Sequence, residues 1–200
     1  TERNQIASYQ WESPMNRRGI LAGIAGSVVL PLVSLKVRRA VAATEKASVK
    51  MIRTRWRDFL AASATVAGDA TPLNRAPEEW REELPHDAFI VLFEDGTERP
   101  FSSILNDEKR PGIFVCRACS LPLFSTEMKY DSGTGWPSFF TSIAGHLETS
   151  PDFKLIWPRT EYHCLKCGGH QGHLFKDGPA STGERWCNNG VGLHFIPLET

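Results

Sequence analysis

The sequence predicts a mostly β domain of antiparallel strands, preceded by short helices. From Gly112 onward, short β-favouring runs alternate with Gly, Pro, Asp and Asn, a pattern typical of strands joined by turns. Before that point, apolar residues recur at helical spacing over short stretches only. Two Cys-x-x-Cys units lie within the β-rich part, and they indicate a metal site that holds hairpins together.

Two short helices are predicted ahead of the strands. Within residues 49–62, one helix face carries Ile52, Trp56, Phe59 and Leu60. Residues 63–77 are rich in Gly, Pro, Ser and Thr, which predicts a linker. Pro77 then opens a second short helix that Pro85 closes. The predicted strands beyond it are IFVC, LPLF, KLIW, EYHC, HLF, RWC and GLHFIP.

Composition and charge fit one folded catalytic domain. The chain has 200 residues, of which 41% are hydrophobic and 10% aromatic, enough to bury one sizeable core. Residues 1–43 carry six Lys/Arg against two Glu, which leaves 17 basic and 21 acidic residues in 44–200. Nucleic-acid binders show a basic patch, because phosphate neutralisation supplies most of their affinity. The mildly acidic body therefore argues against a nucleic-acid partner.

Residues 1–43 have the layout of a targeting segment. Paired Arg17 and Arg18 precede a largely apolar run from Gly19 to Leu35, and Ala40-Val41-Ala42 resembles a cleavage site. This arrangement predicts a twin-arginine signal and export to the periplasm. The resulting division is a targeting segment over 1–43, a helix and linker over 44–77, and a catalytic domain over 78–200.

Two alternatives to an export signal stay open for this segment. A retained membrane anchor through residues 19–35 is one, because the apolar run reaches the lower limit of a spanning length. A mitochondrial presequence fits less well, since such segments are amphipathic. Met15 lies just ahead of the arginine pair and is a candidate start of the natural chain.

The two Cys-x-x-Cys units carry the strongest chemical signal. Cys116 and Cys119 follow one β-like run, and Cys164 and Cys167 follow another, so each pair can present two thiolates from a tight turn. Four thiolates fill the tetrahedral shell of one structural zinc ion per chain. The 44 residues between the pairs exceed zinc-ribbon spacing, so the metal would join two distant hairpins. Disulfides and a thioredoxin-like redox pair are the alternatives.

Cys187, in RWCNNG, is the one cysteine without a second cysteine three residues away. Such a cysteine is either a buried apolar side chain or a reactive thiol. Arg185, on the same strand face, can lower the thiol pKa, and Asn189 adds a hydrogen-bonding group. His170 and His173 lie in a glycine-rich stretch where imidazoles can reach a shared pocket and one can serve as an acid. These neighbours favour a reactive thiol.

Several motifs, in fixed order, resemble those of the methionine-R-sulfoxide reductase family, MsrB. They are GTERPFSSILNDEKRPGIFVC, CRAC, KYDSGTGWPSFF, CLKCGGHQGHLFKDGP and GERWCNNGVGLHFIP, and the resemblance covers about residues 78–198. It implies a fold of two antiparallel β-sheets, a structural zinc ion held by the four paired cysteines, and reduction of methionine-R-sulfoxide, mainly in proteins. Such an enzyme repairs oxidised proteins.

Motif position implies the roles of the site residues: Cys187 as nucleophile, His173 with His170 as proton donors, Trp136 against the substrate methyl group, and Arg185 and Asn189 beside the thiol. The chemistry agrees, because a sulfoxide sulfur accepts a thiolate when an acid protonates its oxygen, which leaves a sulfenic acid on the cysteine. A core position is the alternative for Trp136. Asp177 also matches a motif position, and we expect it to be structural, in a turn.

One departure from the family pattern concerns the reductant. Many members carry a resolving cysteine in the loop before GWPSF, where this chain has Thr134, and no sixth cysteine exists. An intramolecular disulfide would take a zinc ligand and cost folding energy. We therefore expect an external thiol or a thioredoxin-like partner to reduce the sulfenic acid of a monomeric enzyme. A smaller departure is His194, which could line the site, whereas His146 and His163 are expected to be structural.

Two functions of other classes are compatible with parts of the sequence. A non-catalytic zinc module that binds a protein partner needs only the paired cysteines and would be indifferent to Cys187→Ser. A Cys-His hydrolase would use Cys187 with a histidine base and would cleave an ester or peptide without consuming a thiol reductant.

Overall fold

The computed structural model describes residues 35–154 and 158–198, with side chains from residue 42 onward. Two α-helices, α1 (Leu35–Thr54) and α2 (His86–Phe93), come first. The strands that follow are β1 (Gly112–Cys116), β2 (Pro122–Ser125), β3 (Lys129–Tyr130), β4 (Ser138–Phe139), β5 (Leu147–Asp152), β6 (Arg159–Cys164), β7 (His170–Phe175), β8 (Arg185–Asn188) and β9 (Leu193–Pro197). Neither of the two described α-helices is both long and apolar enough to cross a membrane.

The strands form two sheets, which confirms the predicted fold class. The smaller sheet has the order β2-β1-β9, and the larger has the order β3-β4-β8-β7-β6-β5. Every pairing is antiparallel. Strand β8 therefore lies inside the larger sheet, between β4 and β7, and a side chain on it is flanked by two neighbouring strands.

Aromatic side chains from both sheets form the core. Phe124 of the smaller sheet stacks on Phe139 of the larger, with ring centroids 3.9 Å apart. Phe114 meets Phe139 edge-on at 5.1 Å, and Trp186 of β8 packs on Tyr162 of β6 at 5.0 Å. Because alternate residues of a strand face opposite sides of a sheet, the residue after Trp186 points away from this core.

Six of the seven predicted runs fall in strands, namely β1, β2, β6, β7, β8 and β9. The seventh, KLIW, covers residues 154–157, and residues 155–157 lie outside the described part. Strands β3, β4 and β5 were not predicted. The first two are only two residues long, and β5, LETSPD, has no apolar alternation because it is mostly polar.

The helix predicted over residues 49–62 was wrong in its extent. Helix α1 ends at Thr54, and a 3-10 helix follows at Trp56–Phe59. Arg55, with φ −90° and ψ 17°, breaks the helical path between them. The tighter turn directs Trp56 into the core, where it is 6% exposed, so the predicted apolar face is buried although the helix is interrupted.

The second predicted helix is also different. Pro77 opens a 3-10 helix, Pro77–Trp80, but Pro85 is the residue before α2 rather than the end of the helical region. Proline suits this position, because its fixed φ is compatible with the start of a helix and its missing N–H is not needed there. Helix α2, HDAFIVLF, was missed because its apolar residues are nearly continuous and show no helical period.

Residues 63–77 contain no helix or strand before Pro77, as expected of a linker, but they are attached to the domain. The Ala67 N–H donates to the Ser120 carbonyl at 3.0 Å, and the Leu73 N–H donates to the Lys166 carbonyl at 2.6 Å. Ser120 and Lys166 belong to the two cysteine turns. The segment therefore lies across both turns.

The predicted targeting segment falls mainly outside the described residues, which begin at Leu35. Its last part, residues 35–43, belongs to α1.

Candidate active site and cysteine cluster

The register of the larger sheet aligns polar side chains in one row. Cys187 is opposite Ser138 on one side and opposite His173 on the other. His173 is in turn opposite Glu161, and Glu161 is opposite Ser150. Directly opposed residues of antiparallel strands point to the same face, so these side chains share the face away from the aromatic core.

A cavity of about 120 Å³ opens beside Cys187. Its wall includes Trp136, Arg159, His173, Phe175, Cys187 and Asn189. The structure thus brings four of the predicted site residues, Cys187, His173, Trp136 and Asn189, to one cavity. His194 is exposed and is not part of the wall of this cavity.

Two opposing effects act on the Cys187 thiol. Burial raises its pKa, while the positive charge of Arg185 and a hydrogen bond with the Thr134 hydroxyl lower it, and burial prevails. The sequence predicted the effect of Arg185 in the correct direction. It could not predict the net result, because the burial of Cys187 depends on how the neighbouring strands pack.

Arg185 is held in place from two sides. Its Nε and Nη2 donate to the two carboxylate oxygens of Asp177, each at 2.9 Å. Its guanidinium lies 4.2 Å from the centre of the Phe175 ring. Such bidentate pairing fixes the plane of the guanidinium. Asp177, expected only to shape a turn, is therefore the partner that orients Arg185.

His173 is bonded to a buried carboxylate. Its Nε2 lies 2.9 Å from Asp152 Oδ2, and Arg159 Nη2 donates to the same oxygen at 2.6 Å. The Lys154 backbone N–H and the His173 ring lower the pKa of Asp152, so this group is ionised and accepts the Nε2 proton of His173. Burial lowers the pKa of His173, and Asp152 opposes that effect.

His170 lies beside the cavity and is not part of its wall. Its ring centre is 5.3 Å from that of His173, and its side chain faces Glu161 and His163. The cause is a β-bulge at Gln171: the register passes from Tyr162 opposite Gly172 to His163 opposite His170. The extra residue turns His170 onto the face that carries His173.

A loop before the strands positions the other wall of the cavity. Trp136 Nε1 donates to the Glu98 carbonyl at 3.2 Å, and the Glu98 N–H donates to Asn189 Oδ1 at 3.2 Å. The Glu98 carboxylate accepts the N–H groups of Gly190 and Val191 at 2.6 and 3.0 Å. Glu98 therefore ties Trp136 to the chain that follows Cys187.

The four paired cysteines converge at a second site, where the two sheets meet. Cys116 and Cys119 flank the turn after β1, and Cys164 and Cys167 flank the turn after β6. The Sγ atoms of Cys116 and Cys167 are 3.5 Å apart, as are those of Cys119 and Cys164, and all four lie within 4.8 Å of one another. These separations exceed a disulfide bond of about 2.05 Å, and all five cysteines of the chain are free thiols.

The cysteine cluster has the dimensions of a tetrahedral zinc site. Zinc–sulfur bonds of about 2.3 Å put thiolates about 3.8 Å apart, close to the observed spacing. Gln171 Nε2 donates to Cys116 Sγ at 3.3 Å, a contact that suits a metal-bound thiolate. Gly168, with φ +75°, forms the tight turn after the second pair. The four cysteines can therefore hold a metal ion, and their thiolate chemistry suits zinc.

Comparison with known proteins identifies the family. Residues 84–197 match the SelR domain. The chain belongs to this methionine-R-sulfoxide reductase family. A peptide methionine sulfoxide reductase MsrB of Alteromonas mediterranea is 43% identical over 121 residues, which cover 60% of this chain and 85% of the relative. One of the same name from Methanosarcina barkeri is 44% identical over 124 residues, covering 62% of this chain and 87% of the relative.

Family membership confirms the resemblance and makes the chain an oxidoreductase that reduces methionine-R-sulfoxide. The matched range, residues 84–197, contains both cysteine pairs, Trp136 and Cys187. Three residues that hold side chains of the candidate site were missed in the sequence: Asp152, Arg159 and Glu98. Asp152 and Arg159 stand in mostly polar strands, without a local signal. Glu98 lies in the GTERPF motif, but its contact with residues 189–191 depends on tertiary structure.

Proposed function

We propose that Cys187 is the nucleophile that reduces peptide-bound methionine-R-sulfoxide, and that an external thiol regenerates it. One observation carries the proposal: the thiol and the His173 imidazole are opposite one another on adjacent strands and line the same cavity as Trp136. A thiolate, a proton donor and an aromatic wall are the groups that sulfoxide reduction requires.

In the first half-reaction, the Cys187 thiolate attacks the sulfoxide sulfur while His173 protonates the oxygen. The sulfur–oxygen bond of the substrate breaks, methionine leaves, and the hydroxyl group remains on Cys187 as a sulfenic acid. The substrate sulfur gains two electrons, and the cysteine sulfur loses two. Asp152 supports the protonated form of His173, because it opposes the lowering of the imidazole pKa by burial.

Substrate orientation is assigned to the opposite wall of the cavity. Trp136 contacts the S-methyl group, since aromatic rings favour polarisable sulfur groups. Asn189 contributes its amide beside the thiol. The bond between Trp136 and Glu98 keeps the ring in place before substrate arrives. We attribute selection of the R epimer to this arrangement: Trp136 holds the S-methyl group on one side of the sulfoxide sulfur, and His173 protonates the oxygen on the other.

The second half-reaction uses external thiols. One thiol attacks the sulfenic acid, water leaves, and a mixed disulfide forms; a second thiol then releases Cys187. Thr134 stands where many relatives carry a resolving cysteine, and here its hydroxyl acts to lower the pKa of the Cys187 thiol instead. Thioredoxin-like proteins and small thiols are the reductant classes proposed, and a monomer is the proposed state.

We assign one zinc ion to Cys116, Cys119, Cys164 and Cys167. The ion supplies structural stability by joining the two sheets, and four thiolates leave no open position for substrate. The linker over 63–77 is proposed to cover this site, because its backbone bonds both cysteine turns.

The proposed catalytic domain is 78–200, preceded by the helix and linker and by an export signal of the twin-arginine class. The support for export is the Arg17-Arg18 pair ahead of an apolar run. Fusion of residues 1–43 to a reporter that is active only in the periplasm tests it. Replacement of both arginines by lysine should abolish reporter activity, and unchanged activity would reject the twin-arginine route.

The activity test uses the full chain with diastereomerically pure peptide-bound methionine-R-sulfoxide and its S epimer. We expect thiol-dependent reduction of the R epimer alone, and its loss in Cys187→Ser. The matched control is His194→Ala, which removes an exposed imidazole outside the cavity and should keep full turnover. Loss of activity with retained zinc and fold supports the nucleophile assignment. Full turnover by Cys187→Ser would overturn it.

A further inference from the structure

A second group of potential metal ligands lies beside the reductase cavity. Glu161, His163 and His170 offer a carboxylate oxygen and two imidazole nitrogens that all lie within 4.8 Å of one another. Two of the three residues are buried, and the third is half-buried. The group shares no residue with the four-cysteine cluster. His163 and Cys164 are consecutive in β6, so their side chains point to opposite faces of the sheet.

The contacts within the group converge on one point. Glu161 Oε1 lies 3.2 Å from His163 Nε2 and also contacts His170 Nδ1. His170 is only 4% exposed, and Glu161 Oε1 is the acidic oxygen that its Nδ1 contacts. One carboxylate oxygen and two imidazole nitrogens that converge in this way have the arrangement of ligands to a shared ion.

The backbone explains why these side chains meet. Glu161 and His163 lie on one face of β6 because they are two residues apart. Regular pairing would leave His170 on the other face of β7, but the bulge at Gln171 brings it opposite His163. The three ligands therefore come from two hydrogen-bonded strands inside a sheet, a rigid support for a metal site.

We infer that Glu161, His163 and His170 bind a divalent transition cation, such as Zn²⁺ or Co²⁺, at a site separate from the four cysteines. Two imidazoles and one carboxylate suit cations of this class, whereas Mg²⁺ and Ca²⁺ prefer oxygen ligands. Three protein ligands leave a position for water, as in open zinc sites.

The test uses the full chain, free of any histidine tag, with one equivalent of zinc already in the cysteine cluster. Titration with Co²⁺ is followed by calorimetry and by absorption. We expect one further equivalent to bind, with the weak visible bands of nitrogen and oxygen ligands and without the intense thiolate-to-cobalt band in the near ultraviolet. Removal of one ligand in His163→Gln should weaken this binding by about 100-fold.

Two controls keep the outcome decisive. His194→Ala removes an exposed imidazole and should leave Co²⁺ binding unchanged. Addition of Zn²⁺ to protein with ¹⁵N-labelled histidine should shift the NMR signals of His163 and His170. The signals of His146 and His194 should keep their positions. The inference is overturned if no second equivalent binds, if the cobalt spectrum shows thiolate ligation, or if folded His163→Gln binds Co²⁺ as tightly as the natural chain.

Discussion

Replacement of Arg185 by methionine should raise the pKa of Cys187 still further. Arg185 is 8% exposed, and its charge favours the thiolate against the opposing effect of burial. Arg185→Met keeps the length of the side chain and its packing on Phe175, but it removes the charge. Of the groups that lower the pKa of Cys187, the Thr134 hydroxyl alone then remains.

The size of the effect follows from the strength of a charge-assisted hydrogen bond. Such bonds contribute about 1.5–3 kcal/mol, and one pH unit corresponds to about 1.4 kcal/mol. Because Cys187 is only half-buried, the lower bound applies, and we expect the pKa to rise by about 1 unit. Thiolate nucleophilicity grows with pKa with a coefficient of about 0.4–0.5. Below the pKa, the variant therefore has about tenfold less thiolate, but each thiolate is about threefold more reactive. The net reaction is roughly threefold slower.

The assay measures the reaction of zinc-loaded protein with an aromatic disulfide over a range of pH. Cys187→Ser reports the background from the other cysteines. Below the thiol pKa, Arg185→Met should react about threefold more slowly than the natural chain, and above it about threefold faster, because the more basic thiolate is then fully formed. Arg81→Met is the charge control, since Arg81 forms an exposed ion pair with Glu94.

The crossing of the two rate profiles is the decisive feature. An unchanged or lowered thiol pKa in Arg185→Met, with the fold verified by thermal unfolding, would refute the stated role of Arg185. A uniform loss of rate at every pH would also refute it, because it would indicate a blocked thiol rather than a less acidic one.

Three further predictions concern the imidazole, the strand contact and the metal. Asp152→Asn should lower the pKa of His173 further, because the carboxylate raises it. The alkaline limb of the pH–rate profile should then move to lower pH. An unchanged His173 pKa in an NMR titration would contradict this. In Gly172→Ala, the new Cβ would lie 1.9 Å from the Cys187 carbonyl oxygen. We therefore expect urea unfolding to show a free energy of unfolding lower by about 1–3 kcal/mol. Gly68→Ala, which meets nothing within 4 Å, should change stability by less than about 0.5 kcal/mol, and equal losses would contradict the steric argument. Chelation of the zinc ion proposed for the cysteine cluster should abolish cooperative thermal unfolding, and added zinc should restore it, since structural zinc contributes about 10 kcal/mol or more in small domains. An unchanged transition would reject the structural role.

The family and the fold class of the chain were predictable because their signals are residue types at short spacing. The paired cysteines, the GWPSF and RWC motifs and the alternation of strands with turns are all local patterns. They predicted the mostly β fold, and the family resemblance that they carry implied the two sheets. The family, the fold class and the two sheets are confirmed. The helix boundaries were predicted less well, because the break at Arg55 serves the burial of Trp56, which is a tertiary contact.

The sequence by itself determined which groups this protein carries: one unpaired thiol, two cysteine pairs and histidines in a glycine-rich strand. Only the tertiary structure decided which of them meet. The bulge at Gln171 turns His170 towards Glu161 and His163, while regular pairing puts His173 beside Cys187. Asp152 reaches His173 from a polar strand two positions away in the sheet. The physical reason is that strand register and burial depend on contacts between segments far apart in the chain, and they determine whether a thiol or an imidazole holds its proton.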